Sequence, residues 1–362
     1  MTVNATGCAP RHLVGPALDT RPWTITGGNS LRSHSADETL SQDLAPVWSV
    51  TGGRAAAGGL AVGDSVIAFQ GVHRQFALFW RDNGQRVWRK TLPSGGATGP
   101  LIAGETVVTA TSGAEGKVFV FRIEDGRKVW DRQIGPVVGP IAMNDSSVFA
   151  GTENGLLVAM AREGEGGSVR WQRTFSHAIT SGPAVVGNQL VVATHERLYL
   201  LDSESGTIQD SVTVPGALTT TPAITDDLII YSSPDGFIVG FDRTNLAVVW
   251  SIEVAEPIFG GAVVARDSVF AATVSGKVWV APIRNPDAAS FVDLETPVRS
   301  SPAPISGGLL IATVGGELLL ITASSAEPTW HLRVDGPIEQ QPIVDRGELI
   351  FVDGRGKIHK WR

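Results

Sequence analysis

Apolar and polar positions alternate along this chain in short bursts, without the three-and-four spacing of an amphipathic helix. Runs such as Ser65-Val66-Ile67-Ala68-Phe69, Thr106-Val107-Val108-Thr109-Ala110 and Gly116-Lys117-Val118-Phe119-Val120-Phe121 are bounded by Gly, Asp and Ser, the pattern of strands and turns. The bursts are also periodic. A two-residue step, mostly a small residue and then Pro or Gly, recurs at Gly58-Gly59, Gly99-Pro100, Gly139-Pro140, Gly182-Pro183, Thr221-Pro222, Gly260-Gly261, Ser301-Pro302 and Gln341-Pro342, at a mean interval near 40. Each step leads into a β-rich run, a turn, a third run, and a fourth run that ends at a tryptophan. Trp48, Trp88, Trp130, Trp171, Trp250 and Trp330 share that last position, with Asp210 and Ser290 in the two gaps, at spacings of 40, 42, 41, 39, 40, 40 and 40.

A period of about 40 residues with four strands per unit predicts a β-propeller. The ends fix the blade number. Residues 356–362 match a third strand with no fourth after it, and Pro46-Val47-Trp48-Ser49-Val50 is a fourth strand with no three before it. Pairing them closes two edges that would otherwise lie open. The expected fold is all-β: an eight-bladed propeller over residues 46–362, its last blade completed by the N-terminal strand, behind an arm of residues 1–45. The tryptophans are expected to wedge between neighbouring blades.

Composition agrees with this reading and narrows the function. Among 362 residues there are 42 Gly and 21 Pro but only 3 Met, and 18% are charged. Such a breaker-rich chain disfavours helices. The net charge of −7 and the absence of a basic run exclude a nucleic-acid footprint. Cys8 is the one cysteine, so an internal disulfide or a multi-thiolate zinc site cannot form. The histidines show no metal-ligand spacing. The Gly-rich strings 51–54 and 95–99 open no helix, so they are not phosphate cradles.

The unit Asp/Glu-x-Gly-x-x-x-Trp, clearest in Glu124-Asp125-Gly126-Arg127-Lys128-Val129-Trp130 and repeated in Asp82-Asn83-Gly84-Gln85-Arg86-Val87-Trp88, resembles the repeat of pyrroloquinoline-quinone (PQQ)-type propellers. The lead-in Pro22-Trp23-Thr24-Ile25-Thr26-Gly27-Gly28 resembles the segment before the first blade in that superfamily. Two branches compete. Quinoprotein dehydrogenases share the blade number, but the resemblance to them implies a quinone, calcium, an acidic base and often adjacent cysteines. The second branch is the BamB family of outer-membrane barrel-assembly lipoproteins, which this chain resembles in length, bare connections and acidic balance. That resemblance implies a non-catalytic scaffold without cofactor or metal, a monomer within a complex. Its partner would be the periplasmic domains of a barrel-assembly subunit.

In that family the contacts come from connections of two successive blades near mid-chain, which here are residues 176–181 and 216–220. The family's Arg and paired Asp are absent from them, whereas Thr220-Thr221-Pro222 is kept. The expected partner-binding residues are His177, Ile179, Leu218, Thr219 and Thr220, with Ile179 and Leu218 forming a small exposed apolar anchor rimmed by Ser and Thr. An alternative is that Ile179 and Leu218 tuck between blades. The resemblance also makes Cys8, in Ala5-Thr6-Gly7-Cys8-Ala9-Pro10, the expected lipidation site and sole membrane tether of a periplasmic, outer-membrane-anchored protein. Seven residues without an apolar run precede it, so either the true start lies upstream or the cysteine is incidental in a cytoplasmic protein. A small-ligand or glycan-binding propeller is a third reading, which aromatics clustered in the loops of one face would favour.

Overall fold

The computed structural model describes residues 38–362 apart from positions 42, 164, 165, 215 and 323. Cys8, the lead-in 22–32 and most of the arm lie outside the described residues. From residue 46 onward the chain forms eight four-stranded antiparallel sheets. Blades 1 to 7 take consecutive strands within residues 61–91, 101–133, 137–174, 184–213, 223–253, 263–293 and 303–333. Blade 8 joins Ile343–Asp345, Glu348–Val352 and Lys357–Trp361 to the N-terminal strand Pro46–Thr51, with Ser49 opposite His359. The composite last blade is therefore present as the half-blades at the two ends required. No helix among the described residues is long and apolar enough to cross a membrane.

The middle strands of each blade are buried on both faces, as in Val66–Gln70 and Leu228–Ser232, so they read as continuous apolar runs instead of alternating ones. The fourth strands do not end at tryptophan, contrary to the pattern expected from the repeat. Arg86–Thr91 carries Trp88 as its third residue, and Val248–Glu253 carries Trp250 likewise. A register shift beside the tryptophan, between Leu78 and Phe79 in blade 1 and between Gly240 and Phe241 in blade 5, marks a bulge. The extra residue turns the indole out of its own sheet toward the next blade. The bulge residues Val47, Val129 and Val249 are left exposed.

Among the described residues, the indoles of Trp48, Trp88, Trp130 and Trp171 each donate to a backbone carbonyl of the next blade. Nε1 of Trp48, Trp88 and Trp171 donates to the carbonyls of Arg81, Ile123 and Ser203 at 3.2, 2.7 and 3.0 Å. A glycine in the turn of the next blade lies under each of these four rings. A Cβ on Gly84 would come within 2.7 Å of Trp48, and one on Gly206 within 2.5 Å of Trp171, and both residues hold positive φ (69°). Blade 4 has Asp210 where tryptophan is expected, and the corresponding turn residue of blade 5 is then Leu246, at φ 54° and 1% exposed. Its side chain belongs to the buried apolar cluster of Leu198 and Leu200, with Val212 packed against that cluster. In the same turn Thr244 Oγ1 and N–H both donate to Asp242 (2.5 and 2.8 Å). These bonds hold that carboxyl below its usual pKa, because they favour the charged form.

Candidate functional site

The connections leading into blades 4 to 8 follow one pattern: a buried aliphatic residue, a more exposed residue, then the small step into the first strand. The aliphatic position is Ile179, Leu218, Ile258, Val298 and Ile338 in turn, each at most 1% exposed. Ile179 and Leu218 are therefore not the exposed anchor expected of them; both tuck between blades, as the other reading had it. Ile179 fills the space over Gly151, where an added Cβ would sit 2.6 Å from its Cγ2. Burying such a side chain is worth roughly 1.5–3 kcal/mol, and that gain is what the repeat preserves. Thr220 is also buried, its Oγ1 donating to the Ser232 carbonyl at 2.5 Å.

The two connections lie side by side, since Thr180 Oγ1 donates to the Leu218 carbonyl at 2.6 Å. What they present to solvent is polar. His177 Nδ1 meets Ser176 Oγ at 3.0 Å, and its Nε2 lies 3.5 Å from Glu196, both side chains being well exposed. Thr219 points outward. On the next connection, at the position equivalent to His177, Glu256 pairs with Lys277 and accepts from Ser275 Oγ. The ammonium beside it, helped by the hydroxyls, draws the Glu256 carboxyl down to a pKa of about 2.

Thr219 also lies on the rim of a second feature, a cavity of about 250 Å³ on the propeller axis, lined from blades 1, 5, 6, 7 and 8. Phe259, Arg299 and Glu339 hold the same position as Thr219 in their own connections and stand around the mouth. The sequence reading passed over these three. Their signal was a change along the repeat: the position is Ala57, Ala97, Val138, Thr180 and Thr219 in blades 1 to 5 and aromatic or charged in blades 6 to 8.

The residues lining this cavity do not fit a quinone and its calcium. Glu339 is the single carboxylate of the lining and is held by Arg299 at 3.6 Å. Among the described residues no group of three His, Cys, Asp or Glu could hold a metal ion. A hard cation requires several convergent oxygen ligands.

The family described as "Outer membrane protein assembly factor BamB" matches the chain in three overlapping stretches, residues 40–165, 153–288 and 278–360. The chain belongs to the BamB family. An outer membrane protein assembly factor BamB from Shewanella oneidensis is 23% identical over 265 residues, covering 66% of this chain and 64% of its own length. The chain thus spans under two thirds of that relative. The crystal structure of BamB from Moraxella catarrhalis superposes with a TM-score of 0.75 at 14% identity, covering 88% of this chain and 99% of that one. The quinohemoprotein alcohol dehydrogenase from Comamonas testosteroni superposes equally well, with a TM-score of 0.78 at 11% identity over 94% of this chain and 80% of the enzyme. At these identities the superpositions establish the fold alone, which scaffolds and enzymes share.

Proposed function

We propose that this protein is a non-catalytic scaffold of the cell envelope that supports assembly of outer-membrane β-barrel proteins, held in the periplasm by a lipid on Cys8. The observation that carries the reading is the BamB family match, which runs from residue 40 to residue 360 and so takes in every blade. The poor fit of the axial lining to a quinone–calcium centre supports the non-catalytic part. The partner is a barrel-assembly subunit, and the face it meets carries the connections 176–181 and 216–220. With Ile179, Leu218 and Thr220 inside, the recognising groups are His177, Glu196 and Thr219, set on a rigid platform by the buried residues beneath them. A polar surface of this kind suits a modest, partly hydrated interface.

Affinity purification from detergent-solubilised envelopes tests the reading. Wild type is expected to recover a barrel-assembly subunit. His177→Glu with Thr219→Arg is expected to lose most of it at unchanged melting temperature, and Phe291→Ala on blade 6 to retain it. Recovery of no such subunit by the wild type overturns the function; full recovery by the double variant overturns the face.

A further inference from the structure

Closing the ring at the axis needs only small residues. A Cβ on Gly58 would lie 2.3 Å from the amide nitrogen of Gly99, and one on Gly260 2.5 Å from the carbonyl carbon of Ser300, so backbone touches backbone around the inner rim. The residue just before this rim is free of that constraint. It is Ala57, Ala97, Val138 and Thr180 in blades 1 to 4 but Thr219, Phe259, Arg299 and Glu339 in blades 5 to 8. These four do nothing for closure. Phe259 is 51% exposed, and the side chains of Arg299 and Glu339 are 53% and 44% exposed. They are nevertheless held in place. The Arg299 guanidinium lies 5.6 Å from the Phe259 ring centre and 3.6 Å from the Glu339 carboxylate, a cation–π contact and an ion pair sharing one cation. A position that closure leaves free to vary, and that turns aromatic and charged in three successive blades, is one released for function.

We infer that the axial cup framed by Phe259, Arg299 and Glu339 is a binding site for a neutral saccharide. The Phe259 ring offers an apolar plate for the C–H face of a sugar ring. Arg299 supplies planar donors and Glu339 planar acceptors, matched to vicinal hydroxyls, and the hydroxyls and amides of Thr219, Ser301 and Gln340 both donate and accept. The arginine and glutamate cancel, so an anion gains no net cation here and a neutral polyol sacrifices least on leaving water. Shape selects further. The cavity of about 250 Å³ is below the roughly 300–1,000 Å³ of pockets for drug-sized ligands. It is also a ring built from five blades and not a groove, so it takes the terminal ring of a short saccharide and not an extended peptide.

Calorimetric titration of the purified full chain with cellobiose and with diacetylchitobiose, beside inorganic phosphate and the peptide Gly-Phe-Gly-Gly, tests this independently of any barrel-assembly partner. Saturable binding of at least one disaccharide is expected, weakened about tenfold by Phe259→Ala and severalfold by Glu339→Gln, with melting temperatures unchanged because both side chains are exposed. Glu339→Gln keeps the shape of the rim and serves alone if Phe259→Ala does not fold. Absence of saturable binding by both disaccharides overturns the site. So does equal binding by wild type and the variants, or saturable binding of phosphate or the peptide in place of the sugars.

Discussion

Two blade junctions show different ways of holding neighbouring sheets together. Between blades 1 and 2 the seam is aromatic: Phe76, Trp88 and Phe121 meet with ring centres 5.5, 5.7 and 6.1 Å apart, and Phe119 stacks on Phe121 at 5.9 Å. Between blades 8 and 1 an apolar layer is joined by a buried ionic network. Arg81 of blade 1 donates to Asp345 at 2.5 Å and to Glu348 at 2.9 Å, and Lys360 reaches Glu348 at 2.7 Å and the Arg81 carbonyl at 3.0 Å. All four residues are at most 8% exposed. The first seam joins consecutive stretches of chain. The second brings residue 81 to residues 345, 348 and 360, which reach it only after the whole ring has closed. Buried charges are expensive unless fully paired, so the network penalises any closure out of register, whereas stacked rings tolerate small slips. The lesson is that the aromatic seam supplies cohesion and the ionic seam supplies uniqueness.

The sharpest way to break this comparison is to cut the network on one side. Arg81→Met leaves two buried carboxylates against one lysine and is expected to destabilise by about 3–5 kcal/mol. Adding Asp345→Asn should restore part of that loss, because Glu348 keeps Lys360 and Asp345 is the carboxylate left without a cation. Trp88→Ala in the aromatic seam is expected to cost a similar 3–5 kcal/mol or so through its cavity, but with no rescue from a distant partner. Denaturant unfolding of the three variants measures the difference; equal behaviour of Arg81→Met with and without Asp345→Asn would show that the charges are not coupled.

A smaller effect tests whether a seam can be rewritten. Leu246→Gly empties the space beside Asp210 and should lose about 2–4 kcal/mol, a leucine cavity partly offset by relief of positive φ. Asp210→Trp in that background restores the arrangement of the other blades and should recover stability. A double variant less stable than Leu246→Gly alone would refute the view that Leu246 replaces the missing indole.

The smallest effect belongs to the partly exposed pair on the connection face. The Glu256 carboxyl is drawn from 4.5 to about 2 in the folded state, so it stabilises above its unfolded pKa, and that contribution fades as the pH falls from about 4.5 through 2. Solvent screening keeps it below about 1 kcal/mol. Glu256→Gln should therefore narrow its gap to wild type in thermal melts as the pH drops through that window. A gap independent of pH would remove the ion pair as its source.

The repeat, the blade number and the composite last blade were legible because packing between blades imposes the same demand every 40 residues or so, and strand periodicity reports it directly. The tryptophan wedges were legible for the same reason. The error over Ile179 and Leu218 came from reading each connection alone. Set beside Ile258, Val298 and Ile338, they occupy a repeated packing position, and the outward one is the residue that follows. Phe259, Arg299 and Glu339 escaped notice because their position changes along the repeat, and such a change shows only after the eight units are aligned.

The sequence by itself thus determined the architecture, since that depends on local strand patterns and on a period that survives substitution. Only the tertiary structure decided which residues meet across the ring. Arg81 lies more than two hundred and fifty residues from Asp345 and Glu348, and the four rim residues of the cup lie about 40 apart along the chain. Closure of the propeller converts those separations into contacts, and no one-dimensional pattern records them, because the charges and rings involved interact through space only once the eighth blade is complete.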